Sequence, residues 1–130
     1  MDTQKKILIV DDEKDIVSLV SLHMKMAGFL VYFAYDGYTA LDICKTENPD
    51  MIILDLMLPK LNGFEVCRRL KEAEETRCIP VIMLSARAET EDKLLGFNVG
   101  ADDYVTKPFS PRELLARVKR VMNIQRVSRR

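Results

Sequence analysis

Apolar residues gather in five short runs, separated by segments whose apolar positions follow a helical spacing. The runs are "ILIV" (7–10), "LVYFAY" (30–35), "MIIL" (51–54), "PVIML" (80–84) and "DYVT" (103–106). The first, third and fourth are almost unbroken aliphatic stretches, which suits central parallel strands covered on both faces. The intervening spacing predicts helices over about 14–27, 38–47, 64–73 and 89–98, and a fifth that starts at "SPRE". Gly28 provides a left-handed stop for the first helix. The second ends before "NPD", because a residue ahead of proline disfavours helix. The third sets Phe64, Cys67 and Leu70 on one stripe. Ser110, Pro111 and Glu113 supply the cap, first-turn proline and capping box of the fifth, which carries Leu114, Leu115, Val118 and Met122 inward. A βα unit repeated five times predicts one parallel sheet with helices on both faces. Right-handed crossovers then bring the C-terminal end of every strand to one edge, where open sheets of this kind bind their ligands.

The residues that follow the strands carry the chemistry. The first strand runs into Asp11, Asp12 and Glu13, the third into Asp55, the fourth into Ser85, and the fifth into Thr106, Lys107 and Pro108. Each alone is unremarkable: an Asp after a strand is an ordinary helix cap, and a lone lysine is an ordinary surface residue. Together, at four strand ends on one edge, they form an acidic pocket with one cation. Asp11, Asp12 and Asp55 bring three negative charges, and Lys107 offsets one. The remaining two require either a divalent cation or a protonated acid, because like charges raise each other's pKa. An all-oxygen donor set suits Mg²⁺, with Mn²⁺ as an alternative, and the absence of His or Cys at these positions disfavours zinc. A carboxylate is also a nucleophile toward phosphorus, and it needs charge cancellation on the phosphoryl oxygens more than it needs a base.

Composition narrows the partners. The chain has 130 residues with 20 basic and 20 acidic side chains, so no net charge argues for nucleic acid or a membrane surface. The "ILIV" run is too short for a signal core and no apolar stretch has membrane-spanning length. Three cysteines without metal spacing point to reduced thiols and a cytoplasmic location. Residues 1–125 are expected to form one domain, and the basic 126–130 to begin a linker or disordered tail.

The stretches "ILIVDDE", "DMIILDLMLPKLNGFEVCRRL", "IPVIMLSA" and "GADDYVTKPFSPRELLARV" resemble the receiver domain of two-component response regulators, in its OmpR/PhoB subclass. The resemblance implies a flavodoxin-like, CheY-like five-stranded parallel sheet in the order 2-1-3-4-5, with five helices. It implies that Asp55 is the phosphoacceptor, that Asp12, Asp55 and the main-chain carbonyl of Met57 ligate Mg²⁺, and that Asp11 acts on the metal through water. Lys107 and Ser85 would bind the phosphoryl group, with a cis Lys107–Pro108 peptide, and Ser85 and Tyr104 would form the switch. The donor would be a sensor histidine kinase or a small acyl phosphate. The fourth helix, fifth strand and fifth helix would change on phosphorylation and form a homodimer face carrying Lys93, Asp102, Asp103, Glu113, Arg117 and Arg120. In that dimer Asp102 and Asp103 would meet Arg117 or Arg120 across the interface, and Lys93 would meet Glu113. A covalently linked output domain, a winged-helix DNA binder, is expected beyond this chain, with no direct nucleic-acid or membrane contact by the domain itself.

Met57 and Arg87 stand two residues after the phosphoacceptor and the switch serine, and both flank the path of attacking water, so slow autodephosphorylation is expected. A haloacid-dehalogenase-type phosphatase also uses a strand-end Asp, but it wants a second acid where Met57 stands. No enzymatic turnover is therefore expected beyond the domain's own phosphotransfer and dephosphorylation. A dinucleotide site is excluded by "VDDEKD", which lacks a glycine loop.

Overall fold

The structure, a computed structural model, describes residues 4–86 and 98–128, with side chains up to Asn123. Five strands form one sheet: β1 (Lys6–Val10), β2 (Leu30–Ala34), β3 (Met51–Asp55), β4 (Val81–Ser85) and β5 (Asp103–Thr106). Their order is β2-β1-β3-β4-β5 and every pairing is parallel. β3 and β4 are buried along their whole length, and β1 from Ile7 onward. This explains their unbroken aliphatic sequences, since both sheet faces are covered.

Four helices lie among the described residues: α1 (Lys14–Met26), α2 (Gly37–Glu47), α3 (Gly63–Glu72) and the C-terminal helix (Pro111–Ser128). The helix expected over 89–98 falls almost entirely outside the described residues. The strand side chains alternate between two cores. On one face Ile7, Ile9, Ile53, Ile82, Leu84 and Val105 join Val17, Val20 and Met24 of α1 and Leu114, Val118 and Val121 of the C-terminal helix. On the other, Leu8, Val10, Ile52, Leu54 and Met83 join Ala40 and Cys44 of α2 and Val66, Cys67 and Leu70 of α3.

Local chemistry sets the helix ends. Asp36 Oδ1 accepts from Thr39 N–H at 2.9 Å, Asn62 Oδ1 from Glu65 N–H at 2.9 Å, and Ser110 Oγ from Glu113 N–H at 3.1 Å. α1 has no such side-chain cap at Glu13. Its neighbour Asp11 takes the Glu13 N–H instead, at 2.9 Å, so the acid pocket and the start of α1 share one carboxylate. α2 ends on Asn48 in the left-handed region (φ 46°), one residue before the proline that predicted the stop. The C-terminal helix continues through Ser128, into the residues expected to open a linker.

Cys44 and Cys67 are buried in the α2–α3 core, and burial pushes their thiols up to about 12 and about 11. Cys78, in the turn before β4, is exposed.

Candidate functional site

Parallel pairing places the ends of β1, β3, β4 and β5 side by side. Asp55 is the last residue of β3, and Asp11 and Asp12 directly follow β1. One carboxylate oxygen from each of Asp11, Asp12 and Asp55 lies within 4.8 Å of the others. Asp11 is 0% exposed and Asp55 3%, whereas Asp12 opens to solvent. Lys107 Nζ reaches Asp11 Oδ2 at 3.0 Å and Asp55 Oδ1 at 3.5 Å. The Asp11 Oδ2 contact is a charge pair only, since this buried oxygen has no hydrogen bond. The clustered oxygens come from three carboxylates, one of which also holds a buried oxygen without a hydrogen bond, and this all-oxygen set fits a hard divalent cation.

The backbone holds this constellation in place. Lys107 N–H donates to Ser85 O at 2.7 Å, which ties the lysine loop to the end of β4. Ser85 itself is fully buried opposite Thr106 in the β4–β5 register. The Lys107–Pro108 peptide is cis. Leu56 N–H donates to Leu84 O at 2.8 Å, and Met57 N–H approaches Asp55 Oδ1 at 3.4 Å. The Met57 side chain is 55% exposed and stands at the rim.

Other sequence-predicted residues lie away from this pocket. Tyr104 is buried (6% exposed) and belongs to the α2–α3 core cluster. Asp103 is paired within its own chain: Arg117 Nη1 lies 3.0 Å from each of its carboxylate oxygens and Arg120 Nη2 3.1 Å from Oδ2. Arg117 Nε also lies 3.5 Å from Glu113. Asp102 Oδ2 accepts from Val81 N–H at 2.8 Å, at the start of β4. Arg87 and Lys93 lie outside the described residues. Two contributors were missed by sequence reasoning. Glu13 Oε1 is a third acid on the lysine, 3.6 Å from Nζ, and its signal was its place in "DDE". Gly63 packs on the backbone of Asp55, and its signal was the glycine in "LPKLNG".

A family model described as the response regulator receiver domain matches residues 7–119. The chain belongs to the response regulator receiver family. This receiver domain is 52% identical over 118 residues to the alkaline phosphatase synthesis transcriptional regulatory protein PhoP of Bacillus subtilis (strain 168), covering 91% of this chain and 48% of that protein. The chain thus spans about half the length of that relative, and its affinity is with the OmpR/PhoB subclass. Among solved structures, a CheY-like receiver domain protein from Methanospirillum hungatei JF-1 superposes with a TM-score of 0.91 at 28% identity, covering 97% of this chain and 99% of that one. Chemotaxis protein CheY4 of Vibrio cholerae gives 0.87 at 34% identity, covering 92% and 99%. The likeness supports a phosphorylation switch as the general activity of the domain.

The electrostatics of the receiver domain's pocket are those of crowded, buried acids. Burial pushes Asp55 up to about 6, and the Asp11 charge adds to the rise; Lys107 and the Met57 N–H pull the other way without cancelling it. Asp11 is raised by burial too, against the pull of the Glu13 N–H and Lys107. Burial works to lower Lys107, but Asp11, Asp55 and Glu13 outweigh it and its pKa rises. The simple expectation from an unperturbed Asp is thereby shifted: Asp55 ionises near pH 6 rather than near 4.

The sign of the stability effect follows. A carboxyl raised on folding stabilises the fold fully below its unfolded pKa, and that contribution is lost as pH rises through the folded value. For Asp55 the window runs from about 4 to above 6, and the loss amounts to about 3 kcal/mol. Urea denaturation in EDTA should therefore show Asp55→Asn gaining stability over the parent by about 2–3 kcal/mol at pH 8 and much less at pH 4. An equal gain at both pH values would contradict this account of the pocket.

Proposed function

We propose that the domain takes a phosphoryl group on Asp55 from the phosphohistidine of a sensor kinase, or from a small acyl phosphate, and relays its charge state to a linked output domain. The observation that carries this reading is the lysine bridge: Lys107 Nζ within 3.5 Å of Asp55 and 3.0 Å of Asp11, at the mouth of a three-carboxylate cluster. Asp55 Oδ attacks phosphorus as the phosphorus–nitrogen bond of the donor breaks, and the imidazole leaves with its electron pair and takes a proton from solvent. Asp12, Asp55 and the Met57 carbonyl are the residues to hold Mg²⁺ or Mn²⁺, with Asp11 acting through water. The ion would supply charge neutralisation on the phosphoryl oxygens. Lys107 moves its ammonium from Asp55 to a phosphoryl oxygen, and the Ser85 hydroxyl donates to another. The domain otherwise turns over no substrate.

Switching follows from populations. In this reading the phosphoryl group biases a two-state equilibrium towards the state in which Tyr104 occupies the interior position it holds here. The face around β5 forms a homodimer in this reading. Asp103 is held by Arg117 and Arg120 of its own chain, so pairing across an interface requires those contacts to be shared or exchanged. Such rim pairs set register more than affinity, and the dimer is weak until phosphorylation. The output domain is a winged-helix DNA binder in this reading, supported by the regulator named among the relatives.

Three outcomes are expected. Intact mass after acetyl phosphate and Mg²⁺ should show one phosphoryl increment on the parent and none on Asp55→Ala; an increment on the variant would sink the assignment. Sedimentation should show a shift toward dimer on adding beryllofluoride, and Asp103→Ala should abolish the shift; no change in the parent's mass would refute the dimer. Met57→Asn should shorten the phosphorylated half-life several-fold by letting water in line with the phosphorus, and an unchanged half-life would remove Met57 from the kinetic account.

A further inference from the structure

Backbone contacts hold the loop between Asp55 and α3, beside its buried Leu56, Leu58 and Leu61 side chains. Gly63 N–H donates to Leu56 O at 2.9 Å, while Leu56 N–H is already committed to Leu84 O on β4 at 2.8 Å. Leu56 is thus held on both sides, and it is the residue next to Asp55. Gly63, the first residue of α3, comes so close that a Cβ there would overlap the Asp55 carbonyl oxygen, lie 2.9 Å from Leu56 Cα and 3.1 Å from the Asp55 carbonyl carbon. All three atoms are backbone, so no rotamer change relieves the clash. The requirement at 63 is for space, since Gly63 is not among the glycines of positive φ. A second glycine makes a different close approach. A Cβ on Gly37, in the first turn of α2, would lie 2.7 Å from Leu61 O and 2.7 Å from Val66 Cγ2. It would press on the loop and on α3, but not on the Asp55 peptide.

We propose that Gly63 is a positioning residue for phosphoryl uptake: its missing side chain lets the first turn of α3 seat directly on the Asp55–Leu56 peptide, and so fixes where the phosphoacceptor carboxylate and the Met57 carbonyl stand. The proposal rests on the reading that Asp55 accepts the phosphoryl group. Any side chain at 63 must move either α3 or the peptide that bears Asp55, and misplacement of a reacting atom by about 1 Å can cost on the order of a hundredfold in rate. The two glycines therefore separate a clash on the Asp55–Leu56 peptide itself from one that reaches it only through Leu61 and Val66.

The test compares the parent, Gly63→Ala and Gly37→Ala by thermal midpoint, by Mg²⁺ affinity from calorimetry, and by the rate of phosphoryl uptake from acetyl phosphate. Both variants should melt below the parent. Gly63→Ala alone should lose tenfold or more in uptake rate and bind Mg²⁺ several-fold more weakly, while Gly37→Ala stays within about twofold on both. A folded Gly63→Ala protein whose uptake and Mg²⁺ affinity match the parent overturns the proposal, as does an equal loss in the two variants. Should Gly63→Ala be unfolded even at low temperature, Asn62→Ala reads the same coupling. Removing the cap that accepts from Glu65 N–H loosens the first turn of α3, and uptake should fall about threefold; unchanged uptake in that folded variant is the overturning result. A parent that takes up no phosphoryl group and binds no Mg²⁺ defeats the phosphoacceptor reading itself, and this proposal with it.

Discussion

The ammonium of Lys107 lies between two buried carboxylates, 3.0 Å from Asp11 and 3.5 Å from Asp55, with a more exposed third acid, Glu13, at 3.6 Å. Without it the cluster of Asp11, Asp12 and Asp55 would hold like charges alone, two of them removed from water. Even with it, Asp55 remains raised to about 6. The cost of that burial, about 3 kcal/mol by linkage, equals what one or two well-buried aliphatic side chains contribute. The unbroken aliphatic cores of β1, β3 and β4 offset it many times over. The pocket is therefore a region of local instability tolerated by a stable sheet, and its surplus negative charge is what makes it receptive to a cation.

The same sheet explains how residues far apart in sequence act together. Parallel pairing in register brings the ends of four strands to one edge, and short backbone bonds then lock their loops to one another. Lys107 N–H to Ser85 O, Leu56 N–H to Leu84 O and Gly63 N–H to Leu56 O run in succession across β5, β4, β3 and α3. These links are main-chain groups with little freedom to relax. Asp103 and its two arginines lie at the other end of β5 from Lys107, so one short strand joins the charged pocket to the charged face.

Much of this was legible in the residues alone. Continuous aliphatic runs located β1, β3 and β4 to within a residue, and serine, proline and glutamate marked the start of the C-terminal helix. The pocket was legible because strand ends share an edge in any parallel βα sheet, so Asp11, Asp12, Asp55, Ser85 and Lys107 could be assembled without coordinates. What escaped depends on tertiary distance. Glu13 reads as the last residue of the "DDE" that follows β1, and only the fold shows that its carboxylate meets Lys107. The Gly63 contact needs the approach of α3 to β3. The pairing of Asp103 inside its own chain could not be told from pairing across a dimer, because both use the same residue types. The inward position of Tyr104 is a choice between rotamers, on which sequence pattern is silent.

The three thiols differ in a way that is useful at the bench. Cys44 and Cys67 are sealed in the core with their acidity suppressed, while Cys78 stands in the open at the N-terminal end of β4, across the sheet from the acids. A maleimide dye offered to the native protein at neutral pH will therefore find one address. Because that address lies a strand's length from Asp55, the label reports on the domain without crowding the acidic cluster.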